Sequence, residues 1–461
     1  MSQFKMKNSI QWSLLLVLFT FLGVYLLAEE KSVLDERTLA QSYQKQGNYR
    51  DAWKLYQKLA NQRNNSDQGV VHDLNAGIQC LQQLNRVNEI DEFRESVLKT
   101  HANEPRVLWK AAETLIHGPH YGYILDGKFI RGHQRGVGRF INTHALDRLS
   151  ALRLMEQAVE QLKNNSDRDL ASDIYHDFAA YFMYGRAGGN AWELQVLTDL
   201  NQIPDYESVS EEAGNYFRGR VSGGRINGGS EGAPVDEAGD PVYYRVPESY
   251  EAAANDGECW RWMLSQSEKQ KPSREQEVIL QVADFYKSQF GVQTLQSFMP
   301  YFSSRRVVQE SQEEEQVNPY SLESLKETET LARLATGIQR FSLPDDVNYI
   351  RLYQKVVALG KSPFAETALA SLTGVFENRR QYPQAAKYLQ QSIQTYGDPH
   401  QHKQQQLDQI IGNWGQFEPN HSQVAGQGAK VDYRFRNGEQ VEFEAYEVHA
   451  EKLPSIFKDS R

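Results

Sequence analysis

LAQSYQKQGNYRDAWKLYQKLA, residues 39–60, decides how this chain is read. Ala40, Tyr43 and Gly47 fall on one helical face, and Tyr49, Ala52, Tyr56 and Leu59 repeat that spacing beyond a turn at Gly47-Asn48. This is the pattern of a tetratricopeptide helix pair. The small Ala40 and Ala52 let the two helices approach closely, Gly47 supplies the turn, and the aromatic rings fill the groove toward a neighbouring pair. One such pair cannot bury its own face, so more are expected.

GIQCLQQLNRVNEIDEFRESVL (77–98) places Leu81, Asn85, Val87, Ile90 and Val97 at the positions of Tyr43, Gly47, Tyr49, Ala52 and Leu59, 38 residues further on. The standard repeat is about 34 residues, so the polar run NQRNNSDQG at 61–69 is read as a longer connection. LTGVFENRRQYPQAAKYLQQSI (372–393) repeats the pattern with Phe376, Tyr382, Ala385 and Leu389. Between these lie runs with helical spacing at 145–162, 169–184, 191–200, 263–290, 321–341 and 347–359. The fold class expected is mainly α: a tetratricopeptide-like helical solenoid with a small C-terminal β-hairpin. That hairpin is read from VDYRFRNGEQVEFEAYEV, where Val431, Tyr433 and Phe435 alternate before Asn437-Gly438 and Val441, Phe443 and Ala445 after it. Asn-Gly between alternating apolar residues is a strong hairpin signal.

The chain has 461 residues, 40% hydrophobic and 24% charged, which is ordinary globular usage. Sixty acidic against 50 basic residues give a net charge of −10, which argues against a protein built to grip nucleic acid. Cys80 and Cys259 are far apart and carry no ligand spacing, so neither a zinc site nor a disulfide framework is written. Lys5 and Lys7 precede an apolar run from Ile10 to Ala28. Its length, with Leu26 and Leu27 where a cleavage site wants small residues, favours an uncleaved signal-anchor. The remainder is then expected to be extracytoplasmic, held to the inner membrane by one segment, or periplasmic if that segment is cleaved.

The organisation expected is a signal-anchor or signal peptide (1–30), N-terminal repeats (31–116), a Gly/basic loop (117–144), helical pairs (145–217), a Gly-rich loop ending in a short hairpin (218–247), further pairs (248–308), an acidic linker (309–320), C-terminal repeats (321–411), and a connector with the β-hairpin (412–461).

The runs LARLATGIQRFSLPDD, FENRRQYPQAAKYLQQSI, IIGNWGQFEP, GQGAKVDYRFRNGEQVEFEA, GAPVDEAGDPVYYRVPESYEAA and QFGVQT resemble the helical N-terminal region of large bacterial alpha-2-macroglobulin-like proteins. The resemblance extends over about residues 38–450. It implies a chain that continues, in that family, into macroglobulin β-sandwiches, a bait region and, in many members, a protease-trapping thioester. This sequence has no sandwich repeats, and its cysteine contexts QCLQQ and ECWRW lack the Cys-Gly-Glu-Gln pattern that a thioester needs. The resemblance therefore implies a module, a truncated relative or a split gene product rather than a trap.

Candidate chemistry is sparse. His117, His120, His133 and His144 could gather a metal, but Pro119 breaks the helical spacing and no carboxylate pattern completes a ligand set. RGHQRGVGRF (131–140) carries Arg131, Arg135 and Arg139 among glycines, without the lysine-serine ending of a phosphate loop. No nucleophile elbow occurs, and Cys259 has no visible partner base. His400 and His402 read as a polar helix start; sequons at Asn64, Asn164 and Asn420 matter only in a glycosylating source. No cofactor is expected. The functional expectation is a non-catalytic scaffold binding a protein partner, such as a macroglobulin-type β-sandwich protein, with Tyr121, Tyr123, Arg131 and Arg135 nominated as contact residues because large side chains on exposed loops carry hot spots. Two alternatives stand beside it: an envelope enzyme with a site built from 117–140 and 218–247, and an inactive fragment of a longer macroglobulin-like protein.

Overall fold

The computed structural model describes residues 33–133, 138–163, 165–186, 188–202, 232–292, 322–418, 428 and 430–444. The protein is mainly helical, with small antiparallel strand pairs. It divides into two compact units, one of residues 1–291 with 329–349, the other of 292–328 with 350–461.

In the first unit, α1 (33–45) and α2 (Tyr49–Ala60) form the first pair, followed by α3 (Asp67–Gln83), α4 (Ile90–Thr100) and α5 (Pro105–Ile116). Ala40, Ala52, Tyr56 and Leu59 are all fully buried, joined by Leu74, Leu81, Ile90 and Val97. The spacing read from the sequence is thus the core itself. Polar side chains fix the helix starts: Ser66 accepts from the Gly69 amide ahead of α3, and Pro105 opens α5 where its missing N–H costs nothing. A buried tie joins α1 to α3. Asp73, fully buried, receives Arg37 Nε and Nη2 at 2.9 and 2.8 Å and Asn65 Nδ2 at 3.0 Å.

The same backbone device closes three of the helices. Gly47, Asn85 and Arg380 occupy one position of the repeat, and all three are left-handed, with φ of 77°, 58° and 57°. Each is followed by an amide reaching back five residues: Asn48 to the Tyr43 carbonyl at 2.9 Å, Arg86 to Leu81 at 2.8 Å, Gln381 to Phe376 at 2.9 Å. Each left-handed residue itself donates three residues back, to Gln44, Gln82 and Glu377. These are Schellman ends, which satisfy the last carbonyls and turn the chain into the next helix.

After α5 the chain departs from expectation. Residues 117–144, read as a loop, form a three-stranded antiparallel sheet of β1 (Tyr121–Leu125), β2 (Lys128–Arg131) and β3 (Arg139–Asn142), with β1 in the centre. Then come α6 (His144–Leu162) and α7 (Arg168–Met183), a 3-10 stretch at Gly188–Gln195 where a helix over 191–200 was expected, and α8 (Asp256–Gln270) and α9 (Glu275–Phe290). The expected short hairpin within 218–247 survives as a bridge between Val235 and Pro241. Residues 203–231 and 293–321, with the acidic run, lie outside the described residues. The run 321–341, read as helical, is instead a hairpin of β4 (Glu329–Leu334) and β5 (Gly337–Ser342). Its alternating Thr330, Ala332 and Leu334 are buried, and β4 also bonds to Ala233.

The second unit holds α10 (Tyr349–Ala358, from Ile350 onward), α11 (Pro363–Asn378), α12 (Tyr382–Tyr396) and α13 (His402–Ile411). Phe376 stacks on Tyr388 at 5.5 Å, and Ala386, Leu389 and Leu407 form the seam between α12 and α13. Two further strands follow, β6 (Trp414–Phe417) and β7 (Tyr433–Arg436), paired antiparallel.

Two expectations are corrected. The strand Tyr433–Arg436 does not pair across Asn437-Gly438 with 441–444; it pairs with β6, inside what was read as a turn-rich connector, and Ala445 lies outside the described residues. Asn437 is left-handed as that turn predicts, but its Nδ2 donates to the Ile410 and Gly412 carbonyls at 2.9 Å each and ties the sheet to the end of α13. The localisation is corrected as well. Among the described residues no helix is long and apolar enough to cross a membrane, and the apolar run from Ile10 to Ala28 lies outside them. The anchor, and the extracytoplasmic placement built on it, find no support in the fold and are dropped.

Candidate functional site

The nominated residues sit on the β1–β3 sheet, where alternation separates them. Register places Tyr123 opposite Ile130 and Phe140, and Gly122 opposite Arg131 and Ile141. Residues opposite one another share a face. The outer face therefore carries Tyr121, 40% exposed, Tyr123 and Phe140; Tyr121 and Phe140 stack at 6.4 Å, and Tyr123 meets Phe140 edge-on at 5.6 Å. The inner face carries Arg131, only 5% exposed. Gly122 is required beside it, because a Cβ there would collide with the Ile130 carbonyl and the Phe129 ring. Arg135 lies outside the described residues.

Arg131 is a clamp, not a contact residue. Its Nη1 and Nη2 meet Asp147 at 2.9 and 2.8 Å, its Nε meets Asp91 at 2.8 Å, and Nη1 also donates to the Pro119 carbonyl at 2.6 Å. The sheet is thereby bound to α4 and α6. Asp147 receives Thr143 Oγ1 at 2.6 Å and His120 Nδ1 at 2.9 Å as well. Burial alone would push the Asp147 pKa up, but the hydrogen bonds from His120, Arg131 and Thr143 outweigh it and hold the carboxyl below its ordinary range.

The histidines divide. His120 Nδ1 lies 2.9 Å from Asp147, and Nε2 lies 3.0 Å from the Ile116 carbonyl and 3.4 Å from the Tyr184 hydroxyl, so both ring nitrogens are engaged within the fold. His144 stacks on Tyr184 at 4.9 Å. His117 and His133 are exposed. Among the described residues no group of three histidine, cysteine or acidic side chains could hold a metal ion. Cys80 and Cys259 are buried, and burial raises both thiols, to about 11 and about 12.

The sequence reading marked an apolar face of Val431, Tyr433 and Phe435 and expected it to lie exposed if the chain is a fragment; what it did not foresee is the strand that extends it. Phe417 faces Tyr433, and Gly415 faces Phe435. Phe417, Tyr433 and Phe435 thus share one side, and Phe443 closes on it, 5.9 Å from Phe417 and edge-on to Tyr433 at 5.1 Å. Gly415 makes room for the Tyr433 ring, which a Cβ would strike. Phe417, Phe435 and Phe443 are 54%, 48% and 61% exposed. The other side carries Trp414 with the Arg436 guanidinium 5.8 Å above its ring. The alternation of Tyr433 and Phe435 was legible; the partner strand was not, because WGQF between two turn-rich runs is too short to show a period.

A second surface lies on the first repeat, a groove of about 430 Å³ lined by Gln41, Gln44, Lys45, Tyr49, Gln79, Gln82 and Gln83. α1 and α3 build it from the faces they turn away from the core. No family model and no curated protein sequence matches this chain.

Proposed function

We propose that the chain is a non-catalytic, tetratricopeptide-like scaffold that docks a protein partner through its β6–β7 sheet. The observation that carries this reading is the half-exposed ring cluster of Phe417, Phe435 and Phe443 on a sheet that has two strands among the described residues. Contiguous exposed aromatic surface of this kind marks interaction sites, and both outer edges of a two-stranded ladder offer backbone donors and acceptors. The partner that fits is a β-sandwich whose edge strand extends the ladder and whose apolar side chains cover the rings. The resemblance of 376–393, 410–419 and 426–445 to the N-terminal region of alpha-2-macroglobulin-like proteins suggests the same class of partner, a macroglobulin-type domain. The glutamine-lined groove supports an accessory role for this surface of the first repeat, since side-chain amides pair with the backbone of an extended peptide.

The test places a photo-crosslinking residue at Phe435 and, as a control, at exposed Leu359. The expected result is one protein captured from the Phe435 position only. Its binding, remeasured with both proteins pure, weakens at least about tenfold in Phe435→Ser, as loss of an aromatic anchor requires. Equal capture at both positions, or unchanged affinity, overturns the reading. If the chain is instead a piece of a longer macroglobulin-like protein that covers this face with its own next domain, the pure isolated chain binds that domain supplied separately and no other protein.

A further inference from the structure

The first unit contains a cleft of about 390 Å³ that the scaffold reading does not use. It opens between the end of α6, the first turns of α7, Tyr250-Glu251 and α8. Three half-buried rings wall it. Trp262 stands 6.0 Å from Tyr175 at an interplanar angle of 77°, and 5.8 Å from Tyr250 at 46°. Phe178, fully buried and 6.3 Å from Tyr250, forms the floor. Rings set at such different angles cannot all pack on one flat group. Together they wall a small volume with aromatic surface, and the face of an aromatic ring carries partial negative charge.

The lining carries more negative charge than positive: Glu156, Glu160, Asp167 and Glu251 against Lys163 and Arg168. Lys163 pairs with Glu160 at 2.5 Å, Arg168 donates to the Lys269 carbonyl at 2.9 Å, and Asp167 accepts from the Leu170 amide. Glu156 and Glu251 remain as the carboxylates open to a ligand. Glu251 is held below its ordinary pKa by its own amide and by Ser249. Among the described residues Glu156 has no hydrogen bond or salt bridge, and partial desolvation raises its pKa. Nor, among the described residues, does any group bond the Tyr175 or Tyr250 hydroxyl or Trp262 Nε1. Glu156 is exposed at the mouth of the cleft, with the Arg153 charge nearby, and stands beside the rings as a counter-charge for a cation.

We infer that this cleft binds a small organic cation of the quaternary or alkylated ammonium class. A methylated ammonium is weakly hydrated, so entering an aromatic box costs it little, and its diffuse charge meets the ring faces of Trp262, Tyr175 and Tyr250 while Glu156 balances it. Inorganic cations are disfavoured because too few oxygen ligands converge here. An anion would face four carboxylates against two cations in the lining.

The experiment uses the full chain and isothermal calorimetry with choline, tetramethylammonium and 3,3-dimethylbutan-1-ol, the neutral isostere of choline. Both cations are expected to bind, and the isostere at least about tenfold more weakly. Trp262→Ala is expected to weaken choline about tenfold, Trp262→Phe by less, and Glu156→Gln by about threefold; the last two keep the fold if the first does not. Choline binding weaker than about 10 mM, or equal binding of choline and its isostere, overturns the inference. Equal binding would identify the cleft as an apolar or carbohydrate pocket instead.

Discussion

Arg380 holds a left-handed backbone with φ of 57° and an exposed side chain, at the place where the first repeat has Gly47. An L-residue is disfavoured there by about 1–2 kcal/mol, and glycine is not. Arg380→Gly is therefore expected to raise the stability of the second unit by up to about 1 kcal/mol, and Gly47→Ala to lower that of the first by about 1 kcal/mol. A Cβ at Gly47 meets nothing within 4 Å, so the second effect is conformational alone. Urea midpoints check both; equal midpoints for Gly47→Ala and the wild type would remove the Schellman assignment. Arg131 makes the opposite point. It was singled out for its place in a Gly-rich basic run, yet it is buried with Asp147, each side chain 5% exposed. Removing one partner of a buried pair strands the other charge, so Arg131→Ala is expected to cost about 3–5 kcal/mol. Asp147 adds a pH dependence. Its folded pKa is depressed, so its contribution is complete above the ordinary carboxylate range and is lost as pH falls through the folded value. Stability measured from pH 7 down to 3 should fall more steeply in the wild type than in Asp147→Asn.

At the level of elements, legibility followed periodicity. The pairs at 39–60, 77–98 and 372–393 were readable because apolar spacing and turn position agree, and the structure buries Ala40, Ala52, Leu81, Ile90, Ala385 and Leu389 accordingly. The β1–β2 hairpin went unread although Asp126-Gly127, with φ of 48° and 75°, is the same kind of turn signal that was relied on at Asn437-Gly438, where it did not predict the pairing. Histidines, glycines and arginines around it obscured an alternation whose inner face is Gly122, Arg131 and Ile141. A buried arginine breaks the rule that the inner face is apolar, and only its carboxylate partners, distant in sequence, make it stable there. The C-terminal sheet failed differently. Its strands are four residues each and are separated by 419–427, so pairing was assigned to the nearer, wrong neighbour. Gly415→Val tests the observed register. The new side chain must displace the Tyr433 ring, so amide exchange in β7 should accelerate while α12 stays protected. If β7 paired with 441–445, its exchange would not change.

For the whole molecule, the decisive fact is that the first unit is discontinuous in sequence. Residues 329–349 return to it after the chain has left at Gly291. The sequence placed this run with the C-terminal repeats, because its pattern lies beside theirs and sequence distance was the only available guide. The β4–β5 hairpin closes the open side of the first unit. Thr330 Oγ1 bonds the Phe290 carbonyl at the end of α9, Phe341 meets the Phe290 ring edge-on at 5.8 Å, and Ala335 donates to Ala233 at 2.9 Å. Burying a side chain such as Leu331 or Leu334 contributes about 1.5–3 kcal/mol, which is a large share of the 5–15 kcal/mol that typically holds a domain together. A chain running from residue 33 to Tyr349 is therefore expected to unfold in one cooperative transition. One ending at Gly291 should retain helical circular dichroism but bind a hydrophobic dye and lose its sharp melt, because Phe290 and the Ala233 strand lose their cover. Identical melting of the two chains would mean that the hairpin belongs to the second unit after all, and that the boundary at 321 drawn from the sequence was the right one.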